Sequence, residues 1–309
     1  MATIKDVAKA AGVSIATVSR VVNNGPKVGD KTRNRVLSIM SELGYKPNAN
    51  ARALVTQKSS TLGVVIPDLT DPFFATLADS VEQVARANNM QLLLSTGKQS
   101  AETELQAIEL LIEQQCEAIV VHSKKLSDAA LIELSHRYPG VVLIDRYIEG
   151  IKDKCIWLDN DEGGKIAARH LLSLNHKTFA CINSHFDIDD PNLRLNGFES
   201  VLDSTGLVLS EELIVKNEPS LKGGELAAQE LLAQGKEFSA VFAYNDAMAI
   251  GAISVFEDNG FRVPDDIAII GFDDVLLSKY SRPKLTTLHY PIGKMATRAA
   301  ELSIAYSNS

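Results

Sequence analysis

Seven short apolar runs, none alternating with polar residues, constrain this 309-residue chain more than any other feature. They fall at residues 62–66, 91–94, 118–121, 141–144, 179–182, 240–243 and 267–270, with amphipathic stretches between most of them. Uniform apolarity is the mark of strands covered on both faces, and β–α alternation implies parallel sheets. The number of units exceeds one ordinary sheet. A break near Ile156-Trp157-Leu158-Asp159-Asn160 therefore predicts two doubly wound lobes.

The first sixty residues do not share this pattern. They hold ten Lys/Arg against three Asp/Glu, a balance of +7, while the remainder carries 21 basic and 36 acidic residues, or −15. The whole-chain charge of −8 averages two unlike parts, and such asymmetry signals nucleic acid or a membrane surface. Thr3 is placed to cap a helix with Asp6 at its third position; Val7, Ala8 and Ala11 share a face, and Gly12 ends it. Ser14 caps a second helix over 15–22, closed by Asn23-Asn24-Gly25-Pro26. A third runs from Asp30 to about Leu43, with Val36, Ile39, Met40 and Leu43 apolar and Gly44 as its stop.

Two short helices joined by a Gly-containing turn, with a third completing the core, read as a helix-turn-helix. Its second helix presents N-terminal residues to base edges in the major groove. Ile15, Ala16, Ser19 and Arg20 then face DNA, and Val18 and Val22 face inward. Ile15 and Ala16 suit a thymine methyl, and Arg20 suits guanine. The alternative is a three-helix protein-binding module with a solvated basic face. Residues 48–56 are helix-forming but too short to hold a helix alone; Leu54 is suited to wedge into a minor groove, and a plain linker is the alternative.

In open parallel sheets, ligands bind outside the carboxyl ends of the strands. The runs exit to Pro67-Asp68, His122-Ser123, Asp145-Arg146, Tyr244-Asn245-Asp246 and Gly271-Phe272-Asp273-Asp274; Asp71-Pro72-Phe73-Phe74 and Arg194 add to these. Carboxylates, an amide and a guanidinium beside aromatic rings suit a neutral polyhydroxylated ligand. For Asp159, Asn160 and Asp246 the competing role is capping the next helix. His122 is as suited to a ligand hydrogen bond as to a structural one.

Catalytic patterns are missing. Gly163-Gly164-Lys165 leads to Ile166 and is no phosphate loop, and there is no nucleophile elbow or H-E-x-x-H. Cys116, Cys155 and Cys181 lack zinc or redox spacing and read as buried hydrophobes. The expectation is a protein without enzymatic activity, cofactor or metal. The N-terminus carries no apolar signal region, which predicts a cytoplasmic protein without membrane attachment.

Thr3-Ile4-Lys5-Asp6-Val7-Ala8, Ala11-Gly12-Val13-Ser14 and Ala16-Thr17-Val18-Ser19-Arg20-Val21 together resemble the head signature of the lactose–galactose repressor family of bacterial transcriptional regulators. Pro47-Asn48-Ala49 and Ala53-Leu54 resemble its hinge, and Asp71-Pro72-Phe73-Phe74, Asn245-Asp246, Val263-Pro264, Ile270-Gly271-Phe272-Asp273-Asp274 and Leu285-Thr286-Thr287 its body. The resemblance covers essentially the whole chain. Val120-Val121-His122-Ser123-Lys124 and residues 285–291 are most similar to galactose-responsive members.

This resemblance implies a small all-α helix-turn-helix head plus two doubly wound α/β lobes of the periplasmic-binding-protein type. The head spans 1–46, hinge helix and linker 47–60, one lobe 61–159 with 290–309, and the other 160–289. It implies a homodimeric repressor on a pseudo-palindromic operator, released by D-galactose and controlling galactose transport or metabolism genes. DNA-contacting positions carry over to Ser14, Ile15, Ala16, Thr17, Ser19, Arg20, Asn23, Asn50 and Leu54. Sugar-contacting positions carry over to Phe74, Asp145, Arg146, Arg194, Asn245 and Asp273. Asp145 stands where the resemblance leads one to expect Asn, a change that could alter sugar preference. Family members continue through a further lobe crossing, so the stop at Tyr306-Ser307-Asn308-Ser309 reads as a truncation or an unusual member. The alternatives are a regulator of another sugar, a two-lobed sugar receptor without DNA function, and a sugar-modifying enzyme.

Overall fold

The computed structural model describes residues 2–23, 25–45, 61–98 and 100–308, in two units, 1–60 and 61–309. The smaller unit holds α1 (Ile4–Ala11), α2 (Ile15–Val22) and α3 (Asp30–Glu42). A capping box starts α1: the Thr3 hydroxyl accepts from the Asp6 N–H, and the Asp6 carboxylate accepts from the Thr3 N–H at 2.8 Å. Gly12, at φ 60°, ends α1 in the left-handed conformation that Gly adopts without strain. Val7, Ala8, Ala11, Val18, Val21 and Val36 form the core.

Val22, expected to face inward with Val18, is half-buried and packs against this core, and Val21, i,i+3 from Val18, fills it as well. Leu43 is 42% exposed, just past the end of α3. The expected hinge helix, with Asn50 and Leu54, lies outside the described residues.

The larger unit is built from two parallel sheets. Its elements run β1 (Thr61–Ile66), α4 (Pro72–Ala87), β2 (Gln91–Thr96), α5 (Ala101–Glu113), β3 (Ala118–Val121), α6 (Asp128–Arg137), β4 (Val141–Ile144) and β5 (Cys155–Ile156). These strands make the first sheet, in the order β2-β1-β3-β4-β5. There follow α7 (Asn160–Ser173), β6 (Phe179–Ser184), α8 (Asp189–Ser204), β7 (Ile214–Asn217), α9 (Leu221–Ala233), β8 (Ala240–Ala243), α10 (Asp246–Asp258), β9 (Ala268–Asp273), α11 (Leu276–Tyr280), β10 (Thr286–His289) and α12 (Ile292–Ser307). The second sheet has the order β10-β9-β8-β6-β7. After β10 the chain returns, and α12 packs on α4 and against β3 and β4.

Strands β3, β4, β6 and β8 are buried from end to end, as covered parallel strands must be. The run at 91–94 departs from that expectation. As β2 it lies at a sheet edge and alternates between exposed and half-buried. Cys116, Cys155 and Cys181 are free and buried.

Glycines set one close approach that matters for the site. A Cβ on Gly164 of α7 would lie 2.0 Å from the Arg194 carbonyl oxygen, and one on Gly197 of α8 would lie 2.0 Å from that of Asp161. Gly164 and Gly197 thus serve helix packing and seat α8, which carries Arg194, directly on the start of α7, while Gly163 leaves room for the Phe272 ring.

Candidate functional site

In the head, Ile15, at 45% exposure, Ala16 and Arg20 project outward from the first turns of α2. Ser14 and Thr17 are engaged at the cap: the Ser14 hydroxyl accepts from the Thr17 N–H at 3.1 Å and lies 2.9 Å from the Thr17 hydroxyl. The Asn23 amide donates to the half-buried Ser19 hydroxyl at 3.4 Å, at the far end of the helix. The exposed side of α2 is therefore apolar at its start and cationic one turn later. The turn that follows is held by Arg33, whose guanidinium donates to the Gly25 carbonyl at 3.0 Å.

In the body, strand exits and the start of α8 enclose a cavity of about 90 Å³. Phe74, Asp145, Arg194, Asn245 and Asp273 line it, as do Asp71, His122, Lys124, Asp190 and Tyr290. Asp145 and Asp273 adopt φ of 59° and 108°. Such values are costly for a residue with a Cβ and concentrate at functional sites.

Asp145 does not stand free for a ligand. One carboxylate oxygen accepts from the Tyr290 hydroxyl; the other lies 3.2 Å from His122 Nε2 and 2.9 Å from Lys124 Nζ. Burial pushes its pKa up, but the Lys124 ammonium and the bonds from His122 and Tyr290 outweigh burial and hold the carboxyl well below the usual range. Lys124 reaches on to Asp190 Oδ2 at 2.8 Å. Burial weakens the Lys124 ammonium, yet these two carboxylates more than restore it. The loop carrying Lys124 is fixed from beneath by Glu104, a buried carboxylate that accepts from the Ser123 hydroxyl and from the N–H groups of Lys124, Lys125 and Leu126.

Arg194 is buried between rings, its guanidinium carbon 3.7 Å from the Phe272 centroid and 4.6 Å from that of Tyr244. It donates to Asn160 Oδ1 at 2.8 Å and to the Tyr244 carbonyl at 2.7 Å, and faces Asp273 at 3.8 Å. Asp273 has no hydrogen bond to its carboxylate among the described residues. Burial raises its pKa well above the ordinary value, more than Arg194 lowers it. Burial likewise raises Asp71, which caps α4 by accepting from the Phe73 N–H at 2.9 Å. His122 stands edge-on to Phe74 at 5.0 Å, and its buried Nδ1 has no hydrogen-bond partner among the described residues. A proton on Nε2 answers Asp145 and leaves Nδ1 as an acceptor. The unused capacity in the cavity is thus carboxylate and imidazole acceptors beside a planar guanidinium donor, with Phe74 as an apolar wall. That set matches the hydroxyls and the C–H face of a sugar.

Arg146 does not join this group. Its guanidinium donates to the Ser123 carbonyl at 3.1 Å and to Asp128 at 2.7 Å, because the residue after Asp145 at the strand exit points to the other side. Asn245 lines the cavity but is used as the cap of α10, accepting from the Met248 N–H at 2.9 Å and donating to the Pro219 carbonyl at 3.2 Å. Asp159 caps α7, and Asp246 ties the start of α10 to the loop before α11 and to β10 by accepting from the Val275 N–H and the Thr287 hydroxyl. His289 Nδ1 lies 2.9 Å from Asp274 Oδ2. Glu104, Lys124, Asp190 and Tyr290 escaped sequence reasoning. Lys124, two residues beyond His122 at the same strand exit, carried the best signal.

Two family descriptions match the chain: bacterial regulatory proteins of the lacI family over residues 3–48, and periplasmic binding proteins and sugar binding domain of the LacI family over residues 59–297. The HTH-type transcriptional regulator GalR of Escherichia coli (strain K12) is 48% identical over 309 residues, covering 100% of this chain and 90% of the relative. The regulator GalS of Salmonella typhimurium (strain LT2) is 44% identical over 304 residues, covering 98% and 89%. Among solved structures, the lac repressor dimer bound to operator and the anti-inducer ONPF aligns with a TM-score of 0.90 at 26% identity, covering 99% of this chain and 93% of that one.

Proposed function

The chain belongs to the LacI family of bacterial regulatory proteins, and on that premise we propose that its effector is D-galactose and its targets are galactose transport or metabolism genes. It is a DNA-binding transcriptional repressor under sugar control, a homodimer on operator DNA, and not an enzyme. The reading places it in the cytoplasm; no helix among the described residues is long and apolar enough to cross a membrane. The domain limits we assign are 1–46 for the head, 47–60 for the hinge, 61–159 with 290–309 for one lobe and 160–289 for the other.

The observation that carries the sugar assignment is the cavity-lining set with unspent hydrogen-bonding capacity: Asp273, Asp71 and His122 Nδ1 as acceptors, Arg194 as donor, Phe74 as the apolar wall. Asn245 contributes what its capping role leaves over, and Asp145 holds His122, Lys124 and Tyr290 in place. On the DNA side, Ile15, Ala16 and Arg20 read bases. Ser14, Thr17, Ser19 and Asn23 contact the backbone, and Asn50 and Leu54 enter the minor groove. Head lysines and arginines supply salt-dependent affinity through counterion release.

Binding of sugar closes the lobes and lowers operator affinity; by linkage, operator lowers sugar affinity equally. A gel shift on genomic fragments, with and without galactose and its epimers, tests the assignment. Release by galactose at lower concentration than by glucose is expected. Release by another sugar alone would move the chain to a different effector.

A further inference from the structure

The 90 Å³ cavity is not the only hollow at the strand exits. A larger outer trough of about 750 Å³ adjoins it, with the exposed Trp157 and Tyr147 rings packed at 5.1 Å in its wall. Four residues line both hollows: Lys124, Asp145, Ile188 and Asp190. Lys124 stands on the boundary between them. It follows the β3 exit, and its ammonium is held at once by Asp145, just past β4, and, across the cleft, by Asp190 of α8.

We propose that Lys124 is a specificity-determining partition that confines the effector to a single sugar ring by walling the enclosed cavity off from the outer trough. A lysine with one partner could swing aside. This one is the centre of an Asp145–Lys124–Asp190 ion bridge, and moving it would deprive two buried carboxylates of their shared cation. Its backbone is held as firmly, since Glu104 takes the N–H groups of residues 124, 125 and 126. A galactoside carrying a second ring would have to place that ring through the partition. The trough beyond already offers what such a ring needs, an aromatic face and acceptors for hydroxyls.

The inference rests on the galactose reading above and is tested on the full chain by calorimetric titration with D-galactose, melibiose and lactose. The two disaccharides attach glucose to galactose through α and β linkages. Wild-type protein should bind galactose at least about tenfold more tightly than either disaccharide, the scale set by steric exclusion in a pocket. Lys124→Ala combined with Asp190→Asn removes the partition while keeping the charge balanced. That variant should bind a disaccharide within a few-fold of galactose, with a change in emission from Trp157, the sole tryptophan. Lys124→Arg, which keeps charge and bulk, should still exclude both. Wild-type protein that takes a disaccharide as well as galactose would overturn the partition, as would a double variant that binds galactose yet excludes both disaccharides. A wild-type protein that binds none of the three sugars would overturn the galactose reading as well.

Discussion

Replacing Asp273 by Asn should produce a repressor that folds more stably at neutral pH and no longer answers to sugar. Asp273 is a largely covered carboxylate, 12% exposed, that faces the Arg194 guanidinium at 3.8 Å, and no hydrogen bond reaches it among the described residues. Burial raises its pKa well above the ordinary aspartate value, and each unit of such a shift costs about 1.4 kcal/mol when the group ionises. The sign follows from linkage: the unfolded chain gives up this proton first, so wild-type stability falls as pH rises from the ordinary aspartate range towards the folded-state value. Asn carries no proton to lose, and at φ 108° it bears the same backbone cost as the Asp it replaces. The variant should therefore match wild type in acid and gain about 1–3 kcal/mol at neutral pH, the range for relieving an unsatisfied buried group. Sugar binding should move the other way. Losing an acceptor for charge-assisted hydrogen bonds costs about 1.5–3 kcal/mol, or roughly 10–150-fold in affinity. Urea unfolding at several pH values and calorimetric titration with galactose measure both. A variant less stable than wild type at neutral pH, or one with unchanged galactose affinity, would refute the reasoning.

Three further outcomes follow from the same geometry. Gly164→Ala puts a Cβ 2.0 Å from the Arg194 carbonyl oxygen, so α8 must move away; stability should fall by about 1–3 kcal/mol, and galactose affinity should fall although no cavity residue changes, both read from unfolding and titration. Asp246, with a pKa raised to about 6 by burial despite the Thr287 and Val275 bonds, makes the fold less stable when it ionises; Asp246→Asn should raise the melting temperature relative to wild type more at pH 7 than at pH 4.5. Arg20→Ala should cost about 1–3 kcal/mol of specific operator affinity and leave galactose affinity of the free protein unchanged, as anisotropy and titration would show.

What the sequence made legible divides along physical lines. Central parallel strands are covered on both faces, so residues 118–121, 141–144 and 240–243 were marked by apolarity alone and their limits agree with β3, β4 and β8. Strands β7 and β10 lie at sheet edges, where alternation or polarity replaces uniform apolarity, and no run announced them. In the cleft, single residues at strand exits were visible: Asp145, Asn245 and Asp273 all line the cavity. Their division of labour was not. Whether a carboxylate is spent on its neighbours, as Asp145 is, or left open, as Asp273 is, depends on residues far away in sequence. Tyr290 reaches Asp145 across 145 positions, and Asp190 meets Lys124 across 66. Arg146 shows the converse, a residue of the right chemistry directed by its backbone to Asp128 instead.

The central claim is that one cleft and one DNA-reading head are thermodynamically coupled through galactose. The most direct test titrates a labelled operator fragment, selected from genomic DNA by the protein itself, with and without saturating galactose, and titrates galactose with and without saturating operator. The account predicts that operator affinity falls by roughly 5–150-fold and that galactose affinity falls by the same factor. Operator affinity that stays constant at saturating galactose would contradict it.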